Sequence, residues 1–357
     1  MFARSVLLLA LLGVASAELF EQCDALFKQF QTDHRLKYSA TEQAQRNAYF
    51  CDNMKKADGL NALQKEAGFG NAFGVTKYAD RSEKEFSALL GRKGHAAKPN
   101  PKTPVATPKG VSSATLVDWT AAGKVTPVKN QGQCGSCWAH SAAEQIESAW
   151  ALAGNALWEF SPQQIASCTT TCMGCGGGDT IYAYEYLMSL PSTEGLGSGA
   201  FAPYVQSMYT ECTAASCTEA CSAIDLTALQ TEEMLTGYYA QVTGYSYAVP
   251  ACTGQCNAQN LTLLQQNIAS NGPASICVDA STWNLYTGNG AVVAASTCKS
   301  AFYDLDHCVQ LTGFNAAPAS GSPYWMVRNS WATDWGKSAR PPLGGAAAAF
   351  SFDILPL

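Results

Sequence analysis

The chain has 357 residues, of which 47% are hydrophobic and 14% are charged, and its formal net charge is −6. A chain this long and this apolar can bury a substantial core, which excludes general disorder, and nothing in it points to nucleic-acid binding. Its fifteen cysteines indicate an oxidising compartment, where disulfides persist.

The first 17 residues have the pattern of a cleaved signal peptide. Arg4 precedes an apolar run over Val6–Val14, and Ala15–Ala17 has the small-x-small form of a signal-peptidase site. The apolar run is too short to span a bilayer, which disfavours a membrane anchor. We therefore expect a protein of the secretory pathway, in the lysosome or vacuole or outside the cell, with no membrane partner.

Charge divides the rest of the chain into two regions. Residues 18–110 hold 15 Lys and Arg against 11 Asp and Glu, whereas residues 111–357 hold 6 against 17. A basic segment that docks on an acidic domain would have this distribution, and so would two independent domains. Between them, residues 94–112 are rich in proline and lysine, which is typical of an extended, cleavable linker. We expect a basic region at 18–93 and a main domain at 113–357.

The basic region is predicted to be helical. Apolar residues at the spacing of one helix face run from Leu19 to Phe30, and a second helix is expected from Thr41 to about Leu63. Glu42 and Arg46 on the second helix would by themselves be an exposed ion pair one turn apart.

The stretch Val128–Glu144 carries the candidate nucleophile, Cys137. This cysteine follows a glycine-rich loop and opens a helical pattern with one buried face, at Ala139, Ala143, Ile146 and Trp150. A thiol at a helix N-terminus feels the positive end of the helix dipole and unpaired N–H groups, which favour the thiolate. This pattern predicts an activated thiol, and taken alone it is also compatible with redox or zinc chemistry.

A cysteine nucleophile needs a base, a group that orients the base, and donors for the oxyanion. His34 and His95 lie in the basic region and the linker, and His140 is expected to be buried and neutral on the nucleophile's helix. His307, at the start of an apolar strand, remains as the candidate base. Asn329, at the end of the following strand pattern, is the candidate orienting group.

Cys137, His307 and Asn329 in this order resemble the papain-like cysteine peptidases, in particular the cathepsin L-like subgroup. The string Cys-Gly-Ser-Cys-Trp at 134–138 is similar to the family's nucleophile signature. The resemblance implies an α+β, two-lobed fold, with Cys137 on a helical lobe and the other two residues on an antiparallel sheet or barrel lobe, preceded by a helical prosegment. It also implies a thiolate–imidazolium pair, an acyl-enzyme on Cys137, and an oxyanion hole that includes Gln131.

The basic region resembles the inhibitory propeptide of the same family. Its interspersed helix motif is matched by Glu42, Arg46, Phe50, Asn53 and Asn61, with Ala57 in place of the usual isoleucine. Gly74–Asp80 resembles a second propeptide motif, in which Tyr78 replaces phenylalanine and Thr76 replaces asparagine. The resemblance implies a zymogen that matures in acid and whose propeptide is an intramolecular inhibitor. Expected partners are peptide or protein substrates and cystatin-like inhibitors, and we expect a monomer with no cofactor or metal.

The resemblance further implies a set of substrate-binding residues: Gly177, Gly178, Asp179, Thr180, Cys277, Asp306, Cys308 and Trp331. Glycine suits backbone pairing with an extended peptide because no side chain blocks the approach. Asp179 and Thr180 stand where the pocket for P2, the second residue before the scissile bond, usually has apolar side chains. Cys277 and Cys308 are expected either to form a disulfide in that pocket's wall or to face the substrate as thiols, and Asp306 to tune the ion pair.

Two disulfides are implied by the resemblance, Cys134–Cys175 and Cys168–Cys212, and the other pairings stay open. Asn260 begins an Asn-Leu-Thr glycosylation sequon. The absence of an insertion resembling the occluding loop of a carboxydipeptidase favours an endopeptidase.

The chain departs from the family pattern after Gly336. After Gly336 the chain runs through Pro341 and Pro342 into an alanine run at 346–349, which does not predict a sheet strand. One alternative is therefore a catalytically silent papain-fold protein. A remote alternative is a four-cysteine zinc module built from the pairs Cys134 and Cys137, and Cys172 and Cys175.

Overall fold

The computed structural model of the chain describes residues 22–92, 94–110, 112–205, 221, 239–288 and 292–336, together with the backbone of 348–350. The predicted signal peptide at 1–17 lies outside the described residues. Within these ranges, no helix combines the length and the apolar character needed to cross a bilayer.

The basic region folds into helices α1 (22–33), α2 (Ala40–Glu66) and α3 (Glu83–Ser87). Ser39 caps α2 by accepting the N–H of Glu42, and Ser82 and Glu85 form a reciprocal capping box at α3. The observed α2 begins one residue before the predicted helix and continues for three residues beyond Leu63.

The core of this region is aromatic. The buried ring of Phe50 lies 5.4 Å from that of Phe27 and 5.1 Å from that of Phe30, and a disulfide joins Cys23 to Cys51 across the same two helices. Sequence analysis did not assign this disulfide. Of the apolar face predicted on the first helix, Cys23, Phe27 and Phe30 pack on this core, whereas Leu26 is 42% exposed.

Helices α4 (Cys137–Leu152), α5 (Pro162–Cys168) and α6 (Thr180–Ser189) form the helical lobe. Their core contains Trp138, Phe160, Tyr184 and Leu187. The predicted inner face of α4 is found here, because Ala139, Ala143 and Ile146 are buried.

The second lobe is an antiparallel sheet with strands β1 (Leu116–Asp118), β2 (Ala274–Val278), β3 (His307–Asn315), β4 (Tyr324–Arg328) and β5 (Ala348–Phe350), accompanied by helix α7 (Leu261–Asn271). Strand β3 pairs with β1, β2 and β4. All five residues of β2 and the first eight of β3 are buried, as expected for central strands.

Strand β5 corrects the expectation that the tail forms no strand. Residues 348–350 pair antiparallel with β4, with Phe350 opposite Trp325 and Ala348 opposite Val327. The outer edge of β4 presents unpaired N–H and C=O groups, and main-chain hydrogen bonds satisfy them whatever the side chain. The prediction failed because it weighed side-chain propensity alone.

The two lobes meet where α4 packs against β3. Ser141 Oγ donates a hydrogen bond to Val309 O at 2.8 Å, and Gln310 Nε2 donates to Glu144 O at 2.8 Å. All of these groups are buried, so unpaired polar atoms would be costly there. The contact holds the start of α4 beside the start of β3.

The basic region docks on the sheet lobe. Gly74 N donates to Leu285 O at 2.8 Å, and Gln64 exchanges two hydrogen bonds with the main chain of Val292 and Ala294. The core of the sheet lobe is continuous with the aromatic core of the basic region. Residues 18–93 are called the prosegment from here on, after the resemblance described above. The opposite charges of the two regions therefore belong to segments that touch.

Replacing Phe50 with alanine should destabilise the prosegment by about 3–5 kcal/mol, because it removes a fully buried ring from the α1–α2 core. Thermal unfolding of the full chain at neutral pH would show an earlier transition. Leu63→Ala is the matched control, since Leu63 lies on the same helix and is 40% exposed. Equal effects of the two substitutions would contradict this packing.

Candidate active site

Cys137 is the first residue of α4 and lies at the boundary between the lobes. Its sulfur accepts the N–H of Cys308 at 3.5 Å, which places it beside His307. Burial raises the pKa of the Cys137 thiol to about 11, although N–H groups of Cys308 and Gly91 act to lower it. The charge of Asp306 also raises this pKa. The thiol is therefore protonated while the prosegment is in place.

His307 is the first residue of β3 and its imidazole is fully buried. Its Nε2 lies 2.8 Å from Asn329 Oδ1, which also accepts the N–H of Ser330. An accepting oxygen makes Nε2 the donor, so in the neutral ring Nδ1 carries the free lone pair. Among the described residues, Nδ1 has no hydrogen-bond partner. A neutral imidazole held in this tautomer has its proton-accepting nitrogen available.

The surroundings of His307 are apolar. The indole of Trp331 lies 4.8 Å from the imidazole ring and that of Trp283 lies 6.0 Å away. Burial lowers the pKa of His307 to about 4, against the opposing effect of the Asn329 hydrogen bond. With a protonated thiol and a neutral imidazole, the pair is uncharged in this state of the chain.

Gln131 lies on the other side of the nucleophile and its amide is fixed in orientation. Its Oε1 accepts hydrogen bonds from Ser330 Oγ at 2.6 Å and from Trp331 Nε1 at 3.1 Å. Its Nε2 therefore points inward, where it donates to Cys134 O and to Leu89 O, each at 2.9 Å. Leu89 belongs to the prosegment, so a carbonyl oxygen already occupies the position that Gln131 offers to an acceptor.

The prosegment continues from Leu89 along the cleft. The carbonyl oxygen of Gly91 accepts the N–H of Gly178 at 2.8 Å, and the side chain of Arg92 enters a pocket beside Asp179. In a bound substrate, the P2 residue comes before the residue whose carbonyl is attacked. In the prosegment, Arg92 lies in the pocket and comes after Leu89, whose carbonyl lies at Gln131. The prosegment therefore lies in the direction opposite to that of a substrate.

Gly91 passes very close to the nucleophile loop. A Cβ at Gly91 would overlap the carbonyl oxygen of Gly135, and one at Gly177 would overlap that of Gly91. These glycines are needed because main chain meets main chain there. Gly178 pairs main chain to main chain with the prosegment, and the role of Gly177 and Gly178 as a platform for substrate stays a prediction.

The pocket beside Asp179 contains several of the expected substrate-binding residues. Thr180 and Cys277 line it, and Cys277 forms a disulfide with Cys308 on the adjacent strand. Of the two expected states of this cysteine pair, the structure has the disulfide. Asp306 lies behind, where its carboxylate accepts the N–H of Ala280 and its carbonyl accepts that of Arg92.

Trp331 packs against the prosegment as well as against His307. The rings of Tyr78 and Phe86 pack edge-on against its indole at 5.6 and 5.4 Å. Tyr78 of the second propeptide motif and Phe86 of α3 therefore cover the indole that packs against His307.

Disulfides shape the nucleophile loop. Cys134 pairs with Cys175, which ties this loop to the glycine platform. The four-cysteine zinc alternative is wrong here because this bond consumes two of its thiolates. Cys168 pairs with Cys221, and their Cα atoms are 4.7 Å apart, within disulfide range. The implied Cys168–Cys212 pairing is therefore wrong, since a sulfur takes one partner; Cys212 lies outside the described residues.

His140 is buried away from the reacting groups, with its Nδ1 3.0 Å from Ser136 O. Burial lowers its pKa to about 3, so it stays neutral as expected.

Leu89, Gly91 and Arg92 are site residues that sequence reasoning did not single out. The one local signal was a glycine and two basic residues directly before the linker. Their role depends on the path of the prosegment across another domain, which no local pattern encodes.

The fold and the site together define a class of protein. It has two lobes, a thiol at a helix start between them, and an N-terminal segment that lies in the cleft. The family profile "Papain family cysteine protease" matches residues 113–339, and "Cathepsin propeptide inhibitor domain" matches residues 27–86. The chain belongs to the papain family of cysteine proteases. The predicted resemblance and fold class are thereby confirmed.

Curated relatives include a cysteine proteinase of Trypanosoma brucei brucei, 31% identical over 92% of this chain and 65% of its own length. Cysteine proteinase 2 of Leishmania pifanoi is 34% identical over 88% of this chain and 64% of its own length. Human cathepsin L2 is 29% identical over 92% and 90% of the two chains. The chain thus spans less than two thirds of the first two relatives.

Solved structures agree with the zymogen architecture. Digestive procathepsin L2 of Tenebrio molitor larval midgut has a TM-score of 0.67 at 25% identity, over 94% of this chain and 99% of that one. Procathepsin L 3 from the same tissue has a TM-score of 0.64 at 25% identity, over 94% and 98%. Together with the disulfides, these relationships indicate a protein of the secretory pathway.

Replacing Gly91 with alanine should unseat the prosegment, because the added methyl group overlaps the main chain of Gly135. In the full-length chain we expect iodoacetamide to alkylate Cys137 at neutral pH at least tenfold faster than in the parent. Gly70→Ala is the matched control, since a Cβ at Gly70 meets no atom within 4 Å. Unchanged alkylation in the Gly91 variant would contradict the close approach.

Proposed function

We propose that this protein is a cysteine endopeptidase made as a zymogen, which hydrolyses peptide bonds through an acyl-enzyme on Cys137. The observation that carries the proposal is the hydrogen bond from His307 Nε2 to Asn329 Oδ1. It leaves the buried Nδ1 as the acceptor of a ring whose next residue in the chain, Cys308, donates its main-chain N–H to the Cys137 sulfur. A fixed imidazole lone pair beside a helix-terminal thiol is the arrangement that nucleophilic acyl transfer requires.

The reaction follows from these positions. His307 Nδ1 takes the thiol proton, and the thiolate attacks the scissile carbonyl carbon to form a tetrahedral oxyanion. Gln131 Nε2 and the Cys137 main-chain N–H stabilise this oxyanion. As the C–N bond breaks, His307 gives its proton to the leaving amine. Water, deprotonated by the same imidazole, then attacks the thioester and releases the acid and the thiol.

Latency has a steric and an electrostatic component. Leu89 O occupies the hydrogen-bonding position on Gln131, and the burial that the prosegment completes disfavours both the thiolate and the imidazolium. Removal of the prosegment readmits water to the cleft. The pKa of Cys137 then falls and that of His307 rises, so an ion pair can form between them.

The wider organisation belongs to the same proposal. Residues 1–17 are a signal peptide, 18–93 an inhibitory propeptide, 94–112 the segment that is cut, and 113–357 the peptidase. Asn260 is exposed at the start of α7, where its Oδ1 accepts the N–H of Leu263, and its Nδ2 is the atom that would carry a glycan. We assign the protein to the lysosome, the vacuole or the extracellular space, as a monomer that cystatin-like inhibitors would block.

A catalytically silent papain-fold protein is the second candidate. The feature that favours it is the departure of residues 337–357 from the family pattern. Against it, the hydrogen bonds that position Gln131, His307 and Asn329 come from residues before 337.

After acid treatment, an epoxysuccinyl inhibitor should label Cys137 stoichiometrically and abolish hydrolysis of a fluorogenic peptide. Cys137→Ser should remove both signals. Gln131→Ala should lower kcat by about 10²–10³, since one oxyanion donor is lost. Gln133→Ala, an exposed glutamine on the same loop, should retain the parental rate. Failure of the parent chain to be labelled would favour the silent protein.

Acid should release the prosegment through Glu85. Burial acts to raise the pKa of Glu85, but hydrogen bonds from Ser82 and Arg46 lower it below its ordinary value of 4.5. A lowered folded-state pKa contributes stability that is present above 4.5 and is lost as the pH falls through the folded pKa. Glu85→Gln removes this ion pair at every pH, so its zymogen should convert at a higher pH than the parent.

The matched control is Asp52→Asn, which breaks the exposed Asp52–Lys55 pair on α2. The fraction of mature protein after a fixed incubation is measured over a pH series for all three chains. A midpoint for Glu85→Gln equal to that of Asp52→Asn would contradict this role of Glu85.

A further inference from the structure

The ion pair between Arg92 and Asp179 lies inside the cleft, in the pocket next to the glycine platform. Arg92 and Asp179 are each 2% exposed, and Arg92 Nε lies 2.7 Å from Asp179 Oδ2. The guanidinium fills the pocket so completely that only about 20 Å³ of cavity remains. A buried charge pair at this position requires a reason beyond general stability, because desolvation offsets most of the attraction.

Two carbonyl oxygens and one aromatic ring also contact this guanidinium, and each of them interacts favourably with a planar cation. Its Nη1 donates to Leu305 O at 2.7 Å and to Phe302 O at 3.2 Å. Its Cζ lies 4.9 Å from the centre of the Phe302 ring, within cation–π range. The peptidase domain thus supplies a carboxylate, two carbonyl oxygens and an aromatic face to one arginine side chain.

These groups belong to the domain that remains after maturation, and their occupant does not. Asp179 Oδ1 stays committed to the N-terminus of α6, where it accepts the N–H of Ile181. Asp179 Oδ2 has two partners in the zymogen, Arg92 and the N–H of Ala97, and both lie in segments that maturation removes. The mature pocket is therefore left with a carboxylate oxygen that has lost its cation and its hydrogen-bond donor.

A substrate would reach this pocket by the route that the prosegment uses. The N–H of Gly178 donates to Gly91 O, and the next side chain along the chain enters the pocket. A substrate crosses this groove in the opposite direction, so the two chains correspond in position and not in chain order. An extended peptide whose main chain accepts the N–H of Gly178 would place the neighbouring P2 side chain beside Asp179.

From this geometry we infer that the mature enzyme selects peptides with arginine at P2, and that Asp179 is the residue that determines this specificity. The inference rests on the proposed peptidase function and names its substrate class. Lysine at P2 is a weaker ligand, because a single ammonium cannot reach the carboxylate and both carbonyl oxygens in the plane of one fork. Bulky apolar P2 residues, expected of a pocket with an apolar wall, leave Asp179 Oδ2 unpaired.

The test compares fluorogenic dipeptides that share arginine at P1 and carry arginine, citrulline, lysine or leucine at P2. Citrulline has nearly the shape of arginine without its charge, so the ratio of kcat/KM for these two isolates the ion pair. Active sites are titrated with the epoxysuccinyl inhibitor, which removes differences in folding or maturation. We expect arginine to exceed citrulline by about 10- to 100-fold, the usual range for a hydrogen bond to a charged group.

Two variants locate the effect. Asp179→Asn keeps a good cap for α6 but removes the charge, so the arginine-to-citrulline ratio should fall close to one. Asp179→Leu should in addition raise the rate with leucine at P2. Asp304→Asn is the control, since it removes a carboxylate near Phe302 that does not line the Arg92 pocket, and its ratio should match the parent.

Equal rates with arginine and citrulline in the parent enzyme would overturn the inference while leaving the peptidase function intact. A ratio that Asp179→Asn leaves unchanged would likewise overturn the role of Asp179. Absence of both labelling and hydrolysis with all four peptides would instead refute the proposed function, and this inference with it.

Discussion

Helix α4 and strand β3 come from different lobes, and hydrogen bonds from Ser141 to Val309 and from Gln310 to Glu144 hold them together. Cys137 is the first residue of the helix and His307 the first of the strand. Packing the two elements side by side therefore brings thiol and imidazole to one end of the contact. The Cys134–Cys175 disulfide ties the glycine platform to the loop that precedes Cys137.

The prosegment acts on this end by main-chain contacts and by desolvation. The carbonyl oxygen of Leu89 accepts a hydrogen bond from the side-chain amide of Gln131. The carbonyl oxygen of Gly91 accepts the N–H of Gly178, and the side chain of Arg92 fills the pocket beside Asp179. Covering the site keeps the cysteine as a thiol and the histidine as a neutral base. The uncharged pair is a consequence of burial, so the same residues can become an ion pair once water returns.

Local patterns in the sequence were sufficient where the chemistry is local. The position of Cys137 at a helix start and those of His307 and Asn329 at strand ends followed from sequence patterns, and Gln131 from the family resemblance. Cys168 was assigned the wrong partner because pairing depends on distance in space. The strand at 348–350 was missed because an edge of β4 can recruit a segment of low strand propensity through its main chain alone.

The amino-acid sequence by itself determined the family, because the family depends on residue types at short spacings and on motif order, and it predicted the order of domains and the reacting groups on the same basis. Only the tertiary structure decided what occupies the cleft and the pocket beside Asp179. Arg92 and Asp179 are 87 residues apart, and although Asp179 departs from the usual apolar pocket wall, no local pattern identifies Arg92 as its partner. The two side chains meet because of the path that the prosegment takes between the lobes, and that path depends on packing over the whole chain.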